Sequence, residues 1–109
     1  YWDLAFGDGS GEEKDSSASA IAACGFHEIA RSFPGGELRE KYFLEASRTV
    51  EALARGYTTR GMPESNALIL HGVYSKPASN GVDEANLWGD YFYLESLVRL
   101  ARPDWEMYW

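Results

Sequence analysis

Between Thr58 and Asn86 the chain is broken by Gly61, Pro63, Gly72, Pro77 and Gly81, and no helix of ordinary length survives breakers at that spacing. A helical body must therefore come from the residues on either side. Inside the interrupted stretch, Ala67 to Val73 is a candidate for extended structure.

On the N-terminal side, Gly7 to Lys14 reads as a flexible polar loop. A helix is predicted from Ser16 to Ser32, with Asp15 or Ser16 accepting from the free amides at its start. Ala18, Ile21, Ala22, Gly25, Ile29 and Ala30 recur at spacings of three and four, a small-residue stripe that lets neighbouring backbones approach. Pro34-Gly35-Gly36 ends this helix. A second is predicted from Glu37 to about Arg55, its stripe Leu38, Tyr42, Ala46, Val50, Leu53 and Tyr57, with Glu51 and Arg55 paired on the solvent side and Gly56 as a stop. The short connection makes the two an antiparallel hairpin with Ile21, Ile29, Tyr42, Val50 and Leu53 toward the core.

Beyond the interrupted stretch a third helix is predicted from Asn86 to Ala101. Leu87, Tyr91, Leu94, Val98 and Ala101 form its stripe, Asp90 favours the dipole in its first turn, and Pro103 stops it. Trp88, Tyr91, Phe92 and Tyr93 place aromatics on more than one side, so this helix needs partners on several faces. The closing Trp105-Glu106-Met107-Tyr108-Trp109 is an aromatic tail expected to dock on a body. The opening Tyr1-Trp2-Asp3 is aromatic where a terminus is usually loose and polar, which predicts a fragment of a larger domain. The fold class expected is all-α.

Composition bounds the function. With 109 residues there is room for one domain at most, and 45% hydrophobic residues argue against a disordered tail. Seventeen acidic against ten basic residues give a net charge of -7, which leaves no electrostatic footprint for nucleic acid. No apolar run approaches the roughly 20 residues of a membrane helix, and no signal-peptide pattern opens the chain. Aromatics make up 15% of the chain, and such side chains fill cores or line ligand clefts.

Few residues carry chemistry. Cys24 is single and reads as a buried structural thiol. His27 and His71 lack companions at metal-ligand spacing, which argues against a metal site. His27, mid-helix beside Glu28, reads as solvated or packed. His71 precedes Gly72 in an apolar run, a loop setting that suits either a ligand or a structural hydrogen bond. Paired carboxylates for glycoside chemistry must lie several ångströms apart, which the neighbours Asp83 and Glu84 do not satisfy. Those two are read as capping the approach to the third helix, and Glu95 as an acid one turn beyond Asp90 without a partner at four. Ser16-Ser17-Ala18-Ser19 lacks a nucleophile-elbow context, and Gly7, Gly9 and Gly11 lack the Lys-Ser or Lys-Thr of a phosphate loop.

Tyr1-Trp2-Asp3, Asp15 to Gly25, Leu70-His71-Gly72-Val73-Tyr74-Ser75, Asn80-Gly81-Val82-Asp83-Glu84 and Trp88-Gly89-Asp90-Tyr91-Phe92-Tyr93-Leu94-Glu95, read in order, resemble the C-terminal part of the unsaturated glucuronyl hydrolases, glycoside hydrolase family 88. The end at Tyr108-Trp109 resembles the family's C-terminus. The resemblance implies that residues 1–109 are the last portion of an (α/α)6 barrel of helical hairpins. It implies release of unsaturated uronic acid from the non-reducing end of lyase-generated oligosaccharides, by vinyl-ether hydration with an Asp as general acid and base. No metal or organic cofactor is implied, and the cytoplasm is the implied location.

The family's catalytic Asp residues fall outside this sequence, so the chain by itself is expected to be inactive. Its implied contribution is the distal sugar side of the cleft, with Tyr74, Ser75, Asn80 and His71 as substrate-binding candidates. Tyr74 matches an aromatic that packs on the sugar beyond the scissile bond. The following loop in some members reads Ser-x-x-Ser-x-Lys and recognises sulfate; here Ser75 keeps the first serine, Ala78 replaces the second and Asn80 replaces the lysine. That departure removes a cation and a hydroxyl. A related unsaturated rhamnogalacturonyl hydrolase and a non-catalytic helical interaction module stay open as alternatives.

Overall fold

In a computed structural model the structure describes residues 1–107; Tyr108 and Trp109, which the sequence places in a docking tail, lie outside the described residues. Helix α1 spans Ser16–Ser32, α2 Glu37–Gly56 and α3 Leu87–Ala101, and between α2 and α3 strands β1 (Gly72–Ser75) and β2 (Asn80–Glu84) form an antiparallel hairpin. The three helices match the predicted ones to within a residue at their ends.

Asp15 is the N-cap of α1, its carboxylate accepting from the Ser17 amide at 3.0 Å. Asn86 caps α3 through its side chain and the Gly89 amide at 2.7 Å, a role expected instead of Asp83 and Glu84, which lie in β2. Asn86 does this better because it sits at the residue where the chain turns from extended to helical.

Helix α1 lies between α2 on one side and α3 on the other. Ala20, Ala23, Val50, Leu53, Ile69 and Tyr93 form the buried core, flanked by Tyr57, Phe92 and Leu100. Val50 and Leu53 point inward as expected, and Tyr42 is half-buried with stacked partners in Phe26 at 6.2 Å and Phe33 at 6.4 Å. Ile21 and Ile29 do not, being 43% and 39% exposed. The buried side of α1 is Ser17, Ala20, Ala23, Cys24, His27 and Ala30, rotated from the stripe read in the sequence.

In α3 the displacement is larger. Leu87, Tyr91 and Leu94 face outward, and the buried side carries Gly89, Tyr93, Glu95, Ser96 and Arg99. An ion network makes that polar side buriable. Arg99, 4% exposed at its side chain, donates to Glu95 Oε1 at 2.6 Å, pairs with Glu28 of α1 and stacks 4.9 Å from the Trp105 ring. Glu95 thus has a partner at four, contrary to the sequence reading.

The interrupted stretch is more ordered than expected. Thr58 bridges Ile69, the Leu70 amide donates to the Tyr57 carbonyl at 2.8 Å, and Asp90 accepts from the amides of Leu68 at 2.9 Å and Ile69 at 3.0 Å. Asp90 therefore fixes an extended segment from α3 rather than serving the dipole alone.

Candidate functional site

Of the four substrate-binding candidates, Tyr74, Ser75 and Asn80 are carried by the hairpin near its turn. Alternation along β1 turns Val73 into the body and leaves Tyr74 62% exposed on the other face. Ser75 and Asn80 are direct cross-strand partners, one on each side of the turn Lys76 to Ser79. The Tyr74 ring leans on Trp88 of α3, centroids 5.6 Å apart and planes 50° apart. Gly81 makes room beneath it: its φ is +58°, and a Cβ there would stand 2.9 Å from the Cβ of Tyr74. The outcome is an open aromatic surface of Tyr74 and Trp88, with Ser75 and Asn80 one residue further along each strand and, by the same alternation, on the other face of the pair.

His71 stands at the other end of the hairpin. Its Nδ1 lies 2.6 Å from Asp83 Oδ1, and its ring meets Tyr57 edge-on at 5.7 Å. Asp83 as a carboxylate can only accept, so the imidazole carries its proton on Nδ1. The pair borders an open hollow of about 280 Å³ whose other walls are Lys14, Gly56 and Tyr57.

The N-terminus of α1 is the hub that holds this hairpin. Besides capping its own helix, Asp15 accepts from Ser17 Oγ at 2.6 Å and from the Val73 amide at 3.2 Å. Ser16 donates its amide to the His71 carbonyl at 2.9 Å and its hydroxyl to the Leu70 carbonyl at 2.7 Å. Ser17 Oγ in turn accepts from Trp88 Nε1 at 3.1 Å. In the sequence these serines read as a candidate cap at Ser16 and as an unsupported nucleophile, and neither reading reaches their part in holding the hairpin. The available signal was an N-cap carboxylate followed by two serines, which offers more polar groups than a helix start consumes.

Lys76, the cation nearest the turn, is tied back to Glu13, with Glu12 at 4.0 Å. Its ammonium holds the Glu13 carboxyl below its ordinary range. Asn80 and Ala78 bring no charge, so the tip of the hairpin presents no unpaired cation.

The remaining candidates are accounted for by packing. Cys24 is buried, donates its Sγ–H to the Phe92 carbonyl at 3.3 Å, and burial pushes its thiol up to about 12, which suppresses the nucleophilic thiolate. His27 is packed rather than solvated, 4% exposed. Among the described residues there is no group of three or more His, Cys, Asp or Glu that could hold a metal ion, and no helix long and apolar enough to cross a membrane.

No protein-family model matches the chain. Over its whole length it is 46% identical to the unsaturated chondroitin disaccharide hydrolase of Streptococcus pyogenes serotype M1. Over 94% of its length it is 40% identical to the unsaturated glucuronyl hydrolase of Bacillus sp. strain GL1. The chain spans about 27% of the length of these relatives. The crystal structure of the unsaturated glucuronyl hydrolase from Streptococcus agalactiae matches all of the chain with a TM-score of 0.90 at 44% identity, over 28% of that structure's chain. The chain is thus similar throughout to a segment of the unsaturated glucuronyl hydrolases, and its mostly helical fold is that of a portion of their (α/α)6 barrel.

Proposed function

We propose that residues 1–109 are part of the catalytic domain of a glycoside hydrolase that releases unsaturated uronic acid from the non-reducing end of lyase-generated oligosaccharides. The observation that carries this reading is the similarity over the entire chain, at 40–46% identity, to hydrolases named for unsaturated glucuronyl and chondroitin disaccharide substrates. In this reading the bond-breaking acid and base come from outside these residues. Asp83, Asp90 and Glu95 are otherwise engaged, Asp83 by His71, Asp90 by two amides and Glu95 by Arg99. The cytoplasm is the proposed location, on family resemblance.

The contribution assigned to this chain is the sugar that follows the unsaturated uronate. A pyranose has an apolar C–H face that suits the open ring of Tyr74, and burying that face against an aromatic removes it from water. Ser75 and Asn80, cross-strand partners at the turn, are assigned the hydrogen bonds to its hydroxyls on the resemblance. Because Lys76 is held by Glu13, nothing at the turn replaces the cation lost at Asn80. Unsulfated substrates are therefore favoured.

The test is carried out in the intact protein by following the ultraviolet absorbance of the conjugated uronate. Decay with unsulfated unsaturated disaccharide is expected, and its absence would leave the interaction-module alternative standing. Tyr74→Ala should raise KM about 10-fold with little change in kcat, since stacking contributes alike to ground and transition states. Asn80→Lys should raise the ratio of kcat/KM for sulfated over unsulfated disaccharide. A ratio unmoved by Asn80→Lys places the turn away from the sulfate position.

A further inference from the structure

We infer that His71 and Asp83 form a positioning clasp that holds the hairpin at the attitude in which Tyr74 meets its sugar. This rests on the function proposed above. It starts from an irregularity in the strand pairing. Gly72 pairs with Glu84 and Val73 with Val82, so Asp83 is the extra residue of a bulge. A bulge increases the local twist of a strand pair and re-aims the side chains beyond it. Tyr74 and Asn80 are the side chains beyond this one.

Asp83 holds the left-handed conformation, with φ of 60°, and so does His71, with φ of 67°. Glycine takes that conformation freely, whereas any residue with a Cβ takes it at a cost. An aspartate at the bulge supplies what glycine there would not, a carboxylate 2.6 Å from His71 Nδ1. The two unfavourable backbones thus stand at the open end of the hairpin and are joined through their side chains.

The clasp is anchored to the helical body. The His71 carbonyl accepts from the Ser16 amide at 2.9 Å, and the His71 ring packs edge-on against Tyr57. At the opposite end Lys76 ties the turn to Glu13. Tyr74 lies between these two ties, above Gly81 and leaning on the ring of Trp88. Asp15 and Ser16 hold β1 to α1, so without the clasp it is β2 with its bulge that loosens, the twist of the pair is no longer fixed, and Tyr74 loses a set attitude on Trp88. Neither His71 nor Asp83 is required to touch substrate.

The test uses the intact protein with an unsulfated unsaturated disaccharide, and reads hydrogen exchange of the amides of residues 72–84 beside the kinetics. Asp83→Gly accommodates the left-handed backbone and deletes the contact, and Asp83→Asn controls for the added backbone freedom of glycine. Asp83→Gly should speed exchange in the hairpin and raise KM about 3- to 10-fold, with kcat within about twofold of the parent. Asp83→Asn, whose carboxamide oxygen accepts from Nδ1–H and which tolerates a left-handed backbone, should restore both readouts. His71→Asn should match Asp83→Gly, and the double variant should be no worse than either single one. Unchanged exchange in Asp83→Gly overturns the clasp. Faster exchange with an unchanged KM overturns its bearing on substrate. Tyr74→Ala, measured alongside, then separates the two failures: if it raises KM the clasp alone falls, and if it does not the sugar site falls as well.

Discussion

At His27 the neighbours in sequence leave packed and solvated equally open, and burial decides. Beside Glu28 on a predicted helix it has no distinguishing mark, yet it is buried on the side of α1 that faces Arg99, with its Nε2 unpartnered among the described residues and its ring edge-on to Phe43 at 5.8 Å. Burial first, and the Arg99 charge second, hold the imidazole below its ordinary 6.5, with Glu28 opposing. As pH falls through 6.5, the unfolded chain takes up a proton that the folded one refuses. Stability contributed by neutral His27 is therefore complete above that pH and is lost below it, until the folded value is reached. The thermal midpoint of the intact protein should decline between pH 7 and about pH 5, and His27→Phe should flatten the decline in that window. An identical decline in the variant would assign the acid sensitivity to other groups.

Among the elements, the start of α1 carries the most structure per residue. Asp15 serves a helix amide, a serine hydroxyl and a strand amide at once, so its removal strikes α1 and β1 together. Asp15→Ala should cost about 1–3 kcal/mol in chemical denaturation, the sum of a lost N-cap and a strand amide left without its acceptor. Asp15→Asn, retaining one oxygen, should cost less. A loss below about 0.5 kcal/mol for the alanine variant would mean that water replaces the carboxylate at both places. The cap was legible in the sequence because its cause is local. Its second task was not, since Val73 lies far along the chain and only the packing of the hairpin on α1 brings the amide within reach.

Taken as a whole, the molecule buries polar groups inward and leaves apolar ones outward along α3. Leu87, Tyr91 and Leu94 are 83%, 44% and 53% exposed, and α2 adds Leu38, Phe43 and Leu44 at about half exposure. Side chains of this kind on one side of a helix are normally covered by another element. The 109-residue chain by itself should therefore bind a hydrophobic dye such as ANS and self-associate, whereas the intact protein should not. A cooperative, dye-negative monomer from the chain alone would count against its being part of a larger barrel. If the proposed function holds, the isolated chain should also leave the ultraviolet absorbance of unsaturated disaccharides unchanged against a buffer blank, and measurable decay would place a catalytic acid within these residues.

By itself the sequence determined the helices and their ends, because these follow from forces acting within a few residues: a cap at Asp15, breakers at Pro34 and Pro103, and periodicity between them. It also carried the family resemblance, and with it Tyr74, Ser75 and Asn80 as the side chains to examine. Tertiary structure decided which side of α1 and of α3 is inside, whereas the inner side of α2 was legible in its stripe. Apolar residues lie on more than one face of α1 and α3, so a periodicity argument has no unique answer, and the polar side of α3 becomes buriable only because Glu28 reaches across from α1 to Arg99. It decided the hairpin too. A strand pair joined by four residues inside a stretch full of breakers has little local preference, and its register depends on the Asp83 bulge and on the α1 groups that receive its amide and carbonyl.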